Sequence, residues 1–193
     1  MLFIGLDLSM TTGMVAIDDN DPFSGVNSWI IKPNKNIIDL IIKKMDIAGQ
    51  IAQNLKSFNK DCVIAIEGYS FSKFGMAESG ELGGIVKAKL KELGIDYMIF
   101  PPTSIKKFAC GKGSAKKELM IAAVFKKWAF DTNSNDLADA FSIAKLAQAV
   151  YIYKNCTDLV NLGVIRFTDY QLEVIKNLVE SKIKKIKKEK TVG

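Results

Sequence analysis

Leu2-Phe-Ile-Gly-Leu-Asp7-Leu-Ser-Met-Thr-Thr-Gly13-Met-Val-Ala-Ile17 is the stretch from which the fold is read. Residues 2–8 and 14–17 are short, apolar runs, and Thr11-Thr12-Gly13 between them has the composition of a turn, so the two runs read as neighbouring buried strands. A polar turn over residues 18–22 leads to a third strand at 26–31, which completes a β-meander. The period then changes. Ile37, Leu40, Ile41, Met45, Ala48, Ile51, Ala52 and Leu55 fall on one stripe of a helix spanning 36–58. A strand at 62–66, a helix at 78–93 closed by Gly94, and a strand at 95–100 stopped by Pro101-Pro102 follow in β-α-β alternation. Residues 114–128 and 134–151 read as helices, and a last helix runs over 169–188 behind a capping box of Thr168 and Gln171. Residues 156–167 read as strand or loop. The expected fold is α/β: a mixed five-stranded sheet flanked by helices, with no internal repeat.

The 193 residues, 48% hydrophobic and 25% charged, suit one domain with a substantial core. Apolar runs such as 1–6 and 62–66 fall short of the roughly 20 residues a membrane span needs. No basic n-region or small-residue cleavage site surrounds the first run, so the expected location is the cytoplasm. Cys62, Cys110 and Cys156 form no CxxC pair and read as reduced thiols. Histidine is absent, which removes Ser-His-Asp and Cys-His schemes and every His-ligated metal. Catalysis by this chain must rest on carboxylates, lysines or metals.

Charge is unevenly spread. Residues 1–100 hold 10 Lys/Arg against 12 Asp/Glu, while 101–193 hold 17 against 9. A basic second half suggests a polyanion as partner. Every basic residue except Arg166 is Lys, which suits phosphate contact without base reading.

Four acids draw attention. Asp7 and Glu67 each end an apolar strand, and small residues beside them (Gly5, Ala65) leave room for a ligand. A lone carboxylate there costs several kcal/mol unless a cation or hydrogen bonds compensate it. Asp136 and Asp139, at i and i+3 of one helix, share a face. Four carboxylates without His or paired Cys favour hard ions, Mg²⁺ or Mn²⁺, over zinc, and such ions prefer phosphate substrates. The alternatives are that Asp7 and Glu67 cap turns or pair with Lys, and that the helical acids answer the helix dipole.

Taken together, Ile4-Gly-Leu-Asp7-Leu-Ser-Met-Thr-Thr-Gly13, Ile66-Glu67, Pro101-Pro-Thr-Ser-Ile-Lys-Lys107, Gly111-Lys-Gly-Ser-Ala-Lys-Lys117 and Asn135-Asp136-Leu-Ala-Asp139-Ala resemble RuvC-type Holliday-junction resolvases, and the phage-encoded members most closely. The resemblance covers about residues 1–150. It implies a ribonuclease H-like fold, a homodimer, and Mg²⁺-dependent nicking of four-way DNA junctions through Asp7, Glu67, Asp136 and Asp139, with Mn²⁺ as substitute and the host-cell cytoplasm as location if phage-encoded. The implied chemistry is two-metal phosphodiester hydrolysis. After Asp7 the family usually has Pro-Gly-Ser, where this chain has Leu8-Ser9-Met10. The expected division is a nuclease domain over 1–152 and a Lys-rich helical extension over 153–193, packed on or next to it.

Lys106, Lys107, Lys112, Lys116 and Lys117 cluster around Gly111 and Gly113 at an expected helix start, where amides and lysines meet phosphates; a solvated Lys-rich turn is the alternative. Tyr69, Phe71, Lys73 and Phe74 follow Glu67 on a polar loop. The aromatics there either stack on unpaired bases or fold into the core. The resemblance implies that Phe71 or Tyr69 helps open the junction centre. Competing readings are an actin-like or sugar-kinase-type ATP phosphotransferase, for which the chain is short, a non-catalytic junction-binding protein, and a ribonuclease H-like enzyme acting on RNA or RNA–DNA hybrids.

Overall fold

Strand β1 (Leu2–Asp7) lies at the centre of the sheet, because its apolar side chains are covered on both faces. A computed structural model of the chain describes residues 1–20, 25–58, 61–68 and 76–191, with side chains described at all of these except 76–79 and 182–191. β1 pairs antiparallel with β2 (Thr12–Asp18), and β2 pairs antiparallel with β3 (Val26–Ile31). On its other side β1 runs parallel to β4 (Cys62–Glu67), which runs parallel to β5 (Tyr97–Phe100). The order β3-β2-β1-β4-β5 is the mixed five-stranded sheet expected from the sequence.

Alternation along the strands sorts the core into two layers. Leu2, Ile4, Leu6, Ile64 and Ile66 face α1 (Leu40–Lys56) and α2 (Met76–Glu92), meeting Ile47, Ile51, Leu82 and Val86. Phe3, Val15, Ile17 and Ala65 face the other way, toward α3 (Pro102–Cys110), α4 (Lys117–Trp128) and α5 (Asn135–Asn155). A short α6 (Thr157–Asn161) and α7 (Asp169–Thr191) follow. The first half of α7 buries Val174 and Ile175 in this second layer, so it belongs to the same body as the sheet. Among the described residues, no helix is long and apolar enough to cross a membrane.

The local rules account for most boundaries. The Asp39 carboxylate accepts from Ile42 N at 2.9 Å and starts α1 later than the apolar pattern alone suggests. Gly94 ends α2 with φ +70. Thr168 and Gln171 meet at the head of α7, with Thr168 N donating to Gln171 Oε1 at 3.1 Å. Two segments differ from expectation. Pro101-Pro102 stops β5 and also opens α3, because Pro at the first helical position forfeits no internal hydrogen bond. In 156–167, read as strand or loop, the structure has the short helix α6 over Thr157–Asn161 and then loop, with Leu159, Leu162 and Val164 exposed.

Candidate active site

Asp7 and Glu67 are the last residues of the two adjacent parallel strands β1 and β4, whose register pairs Leu6 with Ile66. Neighbouring strands lie about 4.8 Å apart, so these carboxylates leave the sheet side by side. Across β1, Asp7 pairs with Gly13 of β2. The hairpin between them needs no Pro-Gly-Ser: Thr12 Oγ1 donates to Ser9 O at 2.6 Å, and Ser9 Oγ donates to Thr11 O at 2.8 Å, so two hydroxyls close the turn on the backbone.

Helix α5 brings the other two acids. Its first turn holds Asp136, and Ser134 caps it by accepting from Leu137 N at 3.3 Å. The helix lies directly on β1 and β2. A Cβ on Gly5 would stand 2.0 Å from the carbonyl oxygen of Ala140, and one on Gly13 would stand 2.2 Å from that of Asp136. This corrects the expectation that small residues beside Asp7 leave space for a ligand. The space at Gly5 is filled by helix backbone, and what it secures is the approach of Asp136 and Asp139 to the strand ends.

All four carboxylates are half-buried, and among the described residues none has a hydrogen-bond or ion-pair partner. Among the described residues neither Asp7 nor Glu67 caps a turn or pairs with a Lys, while Asp136 does stand in the first turn of α5, where the helix dipole favours an acid. Burial raises the Asp7 carboxyl well above the ordinary carboxylate range, and repulsion from Glu67, Asp139 and Asp136 raises it further. Glu67 is raised by burial and then by Asp139. Asp139 is raised by burial and, more weakly, by Asp136. Mutual repulsion of unpaired acids creates a site that a cation relieves, and an all-oxygen donor set without His suits a hard divalent ion. Among the described residues, no three acids or thiols close into a cage around one point as the side chains stand. The four acids are within Coulomb range of one another and not drawn tight.

Among the described residues, Lys106 and Lys117 are the cations that act on this group. Lys117 lowers the pKa of Asp7, Glu67 and Asp139, and Lys106 that of Glu67 and Asp139. Their positions follow from α3, unforeseen in the sequence, which carries Lys106, and from the start of α4 at Lys117. The other lysines of the cluster stand differently. Lys107 turns to α7 and donates to Glu173 at 2.6 Å. Lys112 and Lys116 are exposed in the connection between α3 and α4. Gly111 closes α3 in the left-handed region, φ +79, so it ends one helix where the sequence suggested the start of another. Tyr69, Phe71, Lys73 and Phe74 lie outside the described residues.

No protein-family model matches the chain. The crossover junction endodeoxyribonuclease RuvC of Prochlorococcus marinus is 25% identical over 150 residues, which are 75% of this chain and 96% of that protein. Two solved structures of Thermus thermophilus RuvC share the fold. One has a TM-score of 0.62 at 19% identity, covering 81% of this chain and 97% of the other. The second, in complex with Holliday junction substrate, has a TM-score of 0.63 at 20% identity, covering 81% and 96%. These relatives are bacterial and lend no support to a phage origin. The chain is a homologue of the RuvC resolvases, with their five-stranded sheet and flanking helices.

Proposed function

We propose that this RuvC homologue is a divalent-metal-dependent endodeoxyribonuclease that nicks four-way DNA junctions as a homodimer, with Mg²⁺ as its ion and Mn²⁺ as a substitute. The observation that carries the reading is the group of mutually repelling carboxylates, Asp7 foremost, which have no hydrogen-bond or ion-pair partner among the described residues, with Lys106 and Lys117 beside them. Asp7, Glu67, Asp136 and Asp139 would hold the metal. When bound, the metal supplies Lewis-acid polarisation of the phosphodiester and acidifies water toward neutral pH.

The chain's own residues do the rest. The sheet fixes Asp7 and Glu67 at adjacent strand ends, and the packing of Gly5 and Gly13 against α5 fixes the helical acids opposite them. Lys106 and Lys117 neutralise part of the repulsion and offer ammonium groups to a phosphate entering over the acids, while Lys112 and Lys116 extend that positive rim. A kinase reading finds no support in the relatives or in the architecture. Residues 1–152 form the nuclease domain in this account, and 153–193 an extension attached through α7. Three free cysteines suit a cytoplasmic protein.

Helix α1 offers a surface for the second copy. Ile38, Ile42 and Met45 are 93%, 53% and 57% exposed, and Leu40 and Ile41 stand beside them. An apolar group of that size on one helix end marks a contact surface. Lys44, buried below it, is ion-paired to Glu81 and ties α1 to α2 as one rigid unit.

The test is cleavage of labelled four-way junction, three-way junction, linear duplex and RNA–DNA hybrid in Mg²⁺. Paired nicks near the centre of the four-way junction are expected. Cutting of the hybrid in preference to the junction would move the protein to the ribonuclease H-like class, and binding without cutting in either Mg²⁺ or Mn²⁺ would make it a junction-binding protein.

A further inference from the structure

The acids have their own supports, the adjacent strand ends and the glycine seats of α5, and the two lysines beside them do not share these. Lys106 lies in α3 and Lys117 opens α4, and the connection between the helices, 111–116, contains Gly113 and begins at Gly111 in the left-handed region. The inner faces of both helices are held by the core through Ile105, Phe108, Met120 and Val124. Their ends are held differently. Lys127, in the last turn of α4, carries its ammonium back to α3 and donates to the carbonyl of Ala109, one of the last carbonyls of that helix and so without a partner inside it. The same ammonium donates to the hydroxyl of Tyr170 in the first turn of α7, and lies 4.8 Å from the centre of the Tyr170 ring and 5.7 Å from that of Trp128. The Tyr170 ring in turn lies under Gly111, where a Cβ would stand 3.7 Å from it. Glu173 accepts from Lys107 at 2.6 Å, and Gln171 Nε2 donates to Phe108 O at 3.5 Å. Among the described residues, the side-chain hydrogen bonds by which α7 reaches the rest of the fold all end on 107–127.

We propose that Tyr170, acting through Lys127, is a positioning residue that holds the α3–α4 segment so that Lys106 and Lys117 stay at the acids, and that α7 thereby serves the rate of nicking and not the affinity for DNA. The inference rests on the junction-nuclease reading above and adds to it residues outside the group of acids. Two glycines leave the α3–α4 connection free to bend, so the placement of the lysine before it relative to the lysine after it depends on a tie between the helices. Lys127 supplies that tie. Its ammonium is committed to a carbonyl of one helix and a hydroxyl of another, and bonds from a charged donor are the stronger class. Rate is the quantity at stake because of the ranges involved. Misplacing a charged group by about 1 Å costs on the order of a hundredfold in rate at worst, whereas attraction to a polyanion acts over a screening length of about 8 Å and is little altered by such a shift.

The experiment uses three full-length variants. Tyr170→Phe keeps the ring under Gly111 and removes the hydroxyl, Lys127→Met keeps the stem and removes the ammonium, and Lys127→Arg keeps a charged donor. Hydrogen exchange is measured without metal or DNA, and single-turnover nicking of a labelled four-way junction in Mg²⁺ is measured against protein concentration. Amides of 106–117 are expected to exchange about tenfold faster in Tyr170→Phe and Lys127→Met, with those of β1, β4 and α5 as in wild type. Nicking at saturating protein should fall on the order of tenfold in both, with the half-saturating concentration within about twofold, and Lys127→Arg should restore the rate to within about threefold of wild type. In a chain carrying Lys106→Gln and Lys117→Gln, adding Tyr170→Phe should cost less than about twofold more, because the groups it positions are gone. Exchange and rates in Tyr170→Phe equal to wild type would overturn the inference. Faster exchange throughout β1, β4 and α5 would reduce Tyr170 to a support of the whole fold and overturn it too. A loss confined to the half-saturating concentration would make Lys127 a DNA contact, and a full tenfold loss on top of the two Lys→Gln changes would place the effect outside Lys106 and Lys117; each contradicts the inference, and nicking by wild type in the same samples leaves the nuclease reading standing. Wild type that neither binds nor nicks the junction would overturn the nuclease reading and the inference with it.

Discussion

A Cβ on Gly13 would lie 2.2 Å from the carbonyl oxygen of Asp136, so the cross-strand partner of Asp7 is also the seat of the helix turn that carries Asp136. One missing side chain sets the distance between two strand-borne acids and two helix-borne acids. Gly13→Ala must push the start of α5 off the sheet, at an overpacking cost of about 1–3 kcal/mol. Nicking is expected to fall by at least about tenfold, which is about 1.4 kcal/mol in the barrier, while junction binding persists. Melting and single-turnover cleavage measured together check this. A variant that melts lower yet nicks at the wild-type rate would mean that the α5 acids need no such placement.

Asp7, Glu67 and Asp139 have raised pKa values in the folded chain, so the folded state holds protons more tightly than the unfolded one. Their stabilising contribution is full below the ordinary carboxylate range near about pH 4 and is lost as pH rises through the raised values. In EDTA, Asp7→Asn should therefore melt above wild type at about pH 7.5, with the gap narrowing toward about pH 4, at about 2–4 °C per kcal/mol recovered. Mg²⁺ should raise the melting temperature of wild type more than that of the variant. A variant less stable than wild type across the whole range would show Asp7 to be a structural acid.

Lys117 lowers the pKa of three of the acids. Replacing it with Gln should move the acidic limb of the pH–rate profile upward and reduce nicking near neutral pH on the order of tenfold. The profile is the decisive readout, because loss of a mere DNA contact would lower binding without moving the limb.

The exposed α1 residues give a prediction about assembly. Ile42→Glu combined with Met45→Lys should convert a dimer to a monomer in sedimentation, and paired nicks should give way to single, uncoordinated ones. A dimer undisturbed by both changes would place the interface elsewhere.

Ala129 closes α4 with φ +52, a conformation that costs a side-chain-bearing residue roughly 1 kcal/mol or more. Ala129→Gly relieves that strain but adds backbone freedom to the unfolded chain, so a net gain of under about 1 kcal/mol is expected. Melting should rise by up to about 2–4 °C with nicking unaltered.

What the sequence revealed and what it hid follow from the range of the forces involved. The strands, α1, α2 and α5 are legible because their apolar periodicity is local: Leu2, Ile4 and Leu6 on one face and Phe3 and Gly5 on the other settle β1 without reference to the rest of the chain. Asp7 and Glu67 stand out for the same reason, as acids ending apolar runs. The function of Gly5 and Gly13 was hidden, since a missing side chain looks alike whether a ligand or a helix fills the gap. Helix α3 was hidden because its nine residues begin with Pro and carry few apolar positions, Ile105, Phe108 and Ala109 being buried only by layers from elsewhere. The division among the lysines was hidden too. Only the folded chain sets Lys107 against Glu173 and turns Lys106 and Lys117 toward the acids.

The most direct test of the central claim compares wild type with Asp7→Asn on a labelled four-way junction in Mg²⁺, reading binding and nicking in the same samples. The account expects paired nicks from wild type, and from the variant at least about a thousandfold slower cleavage, about 4 kcal/mol in the barrier, with binding within a few-fold of wild type. Nicking by Asp7→Asn at near the wild-type rate would contradict it, because the acid with the most repulsion around it would then have no part in the chemistry.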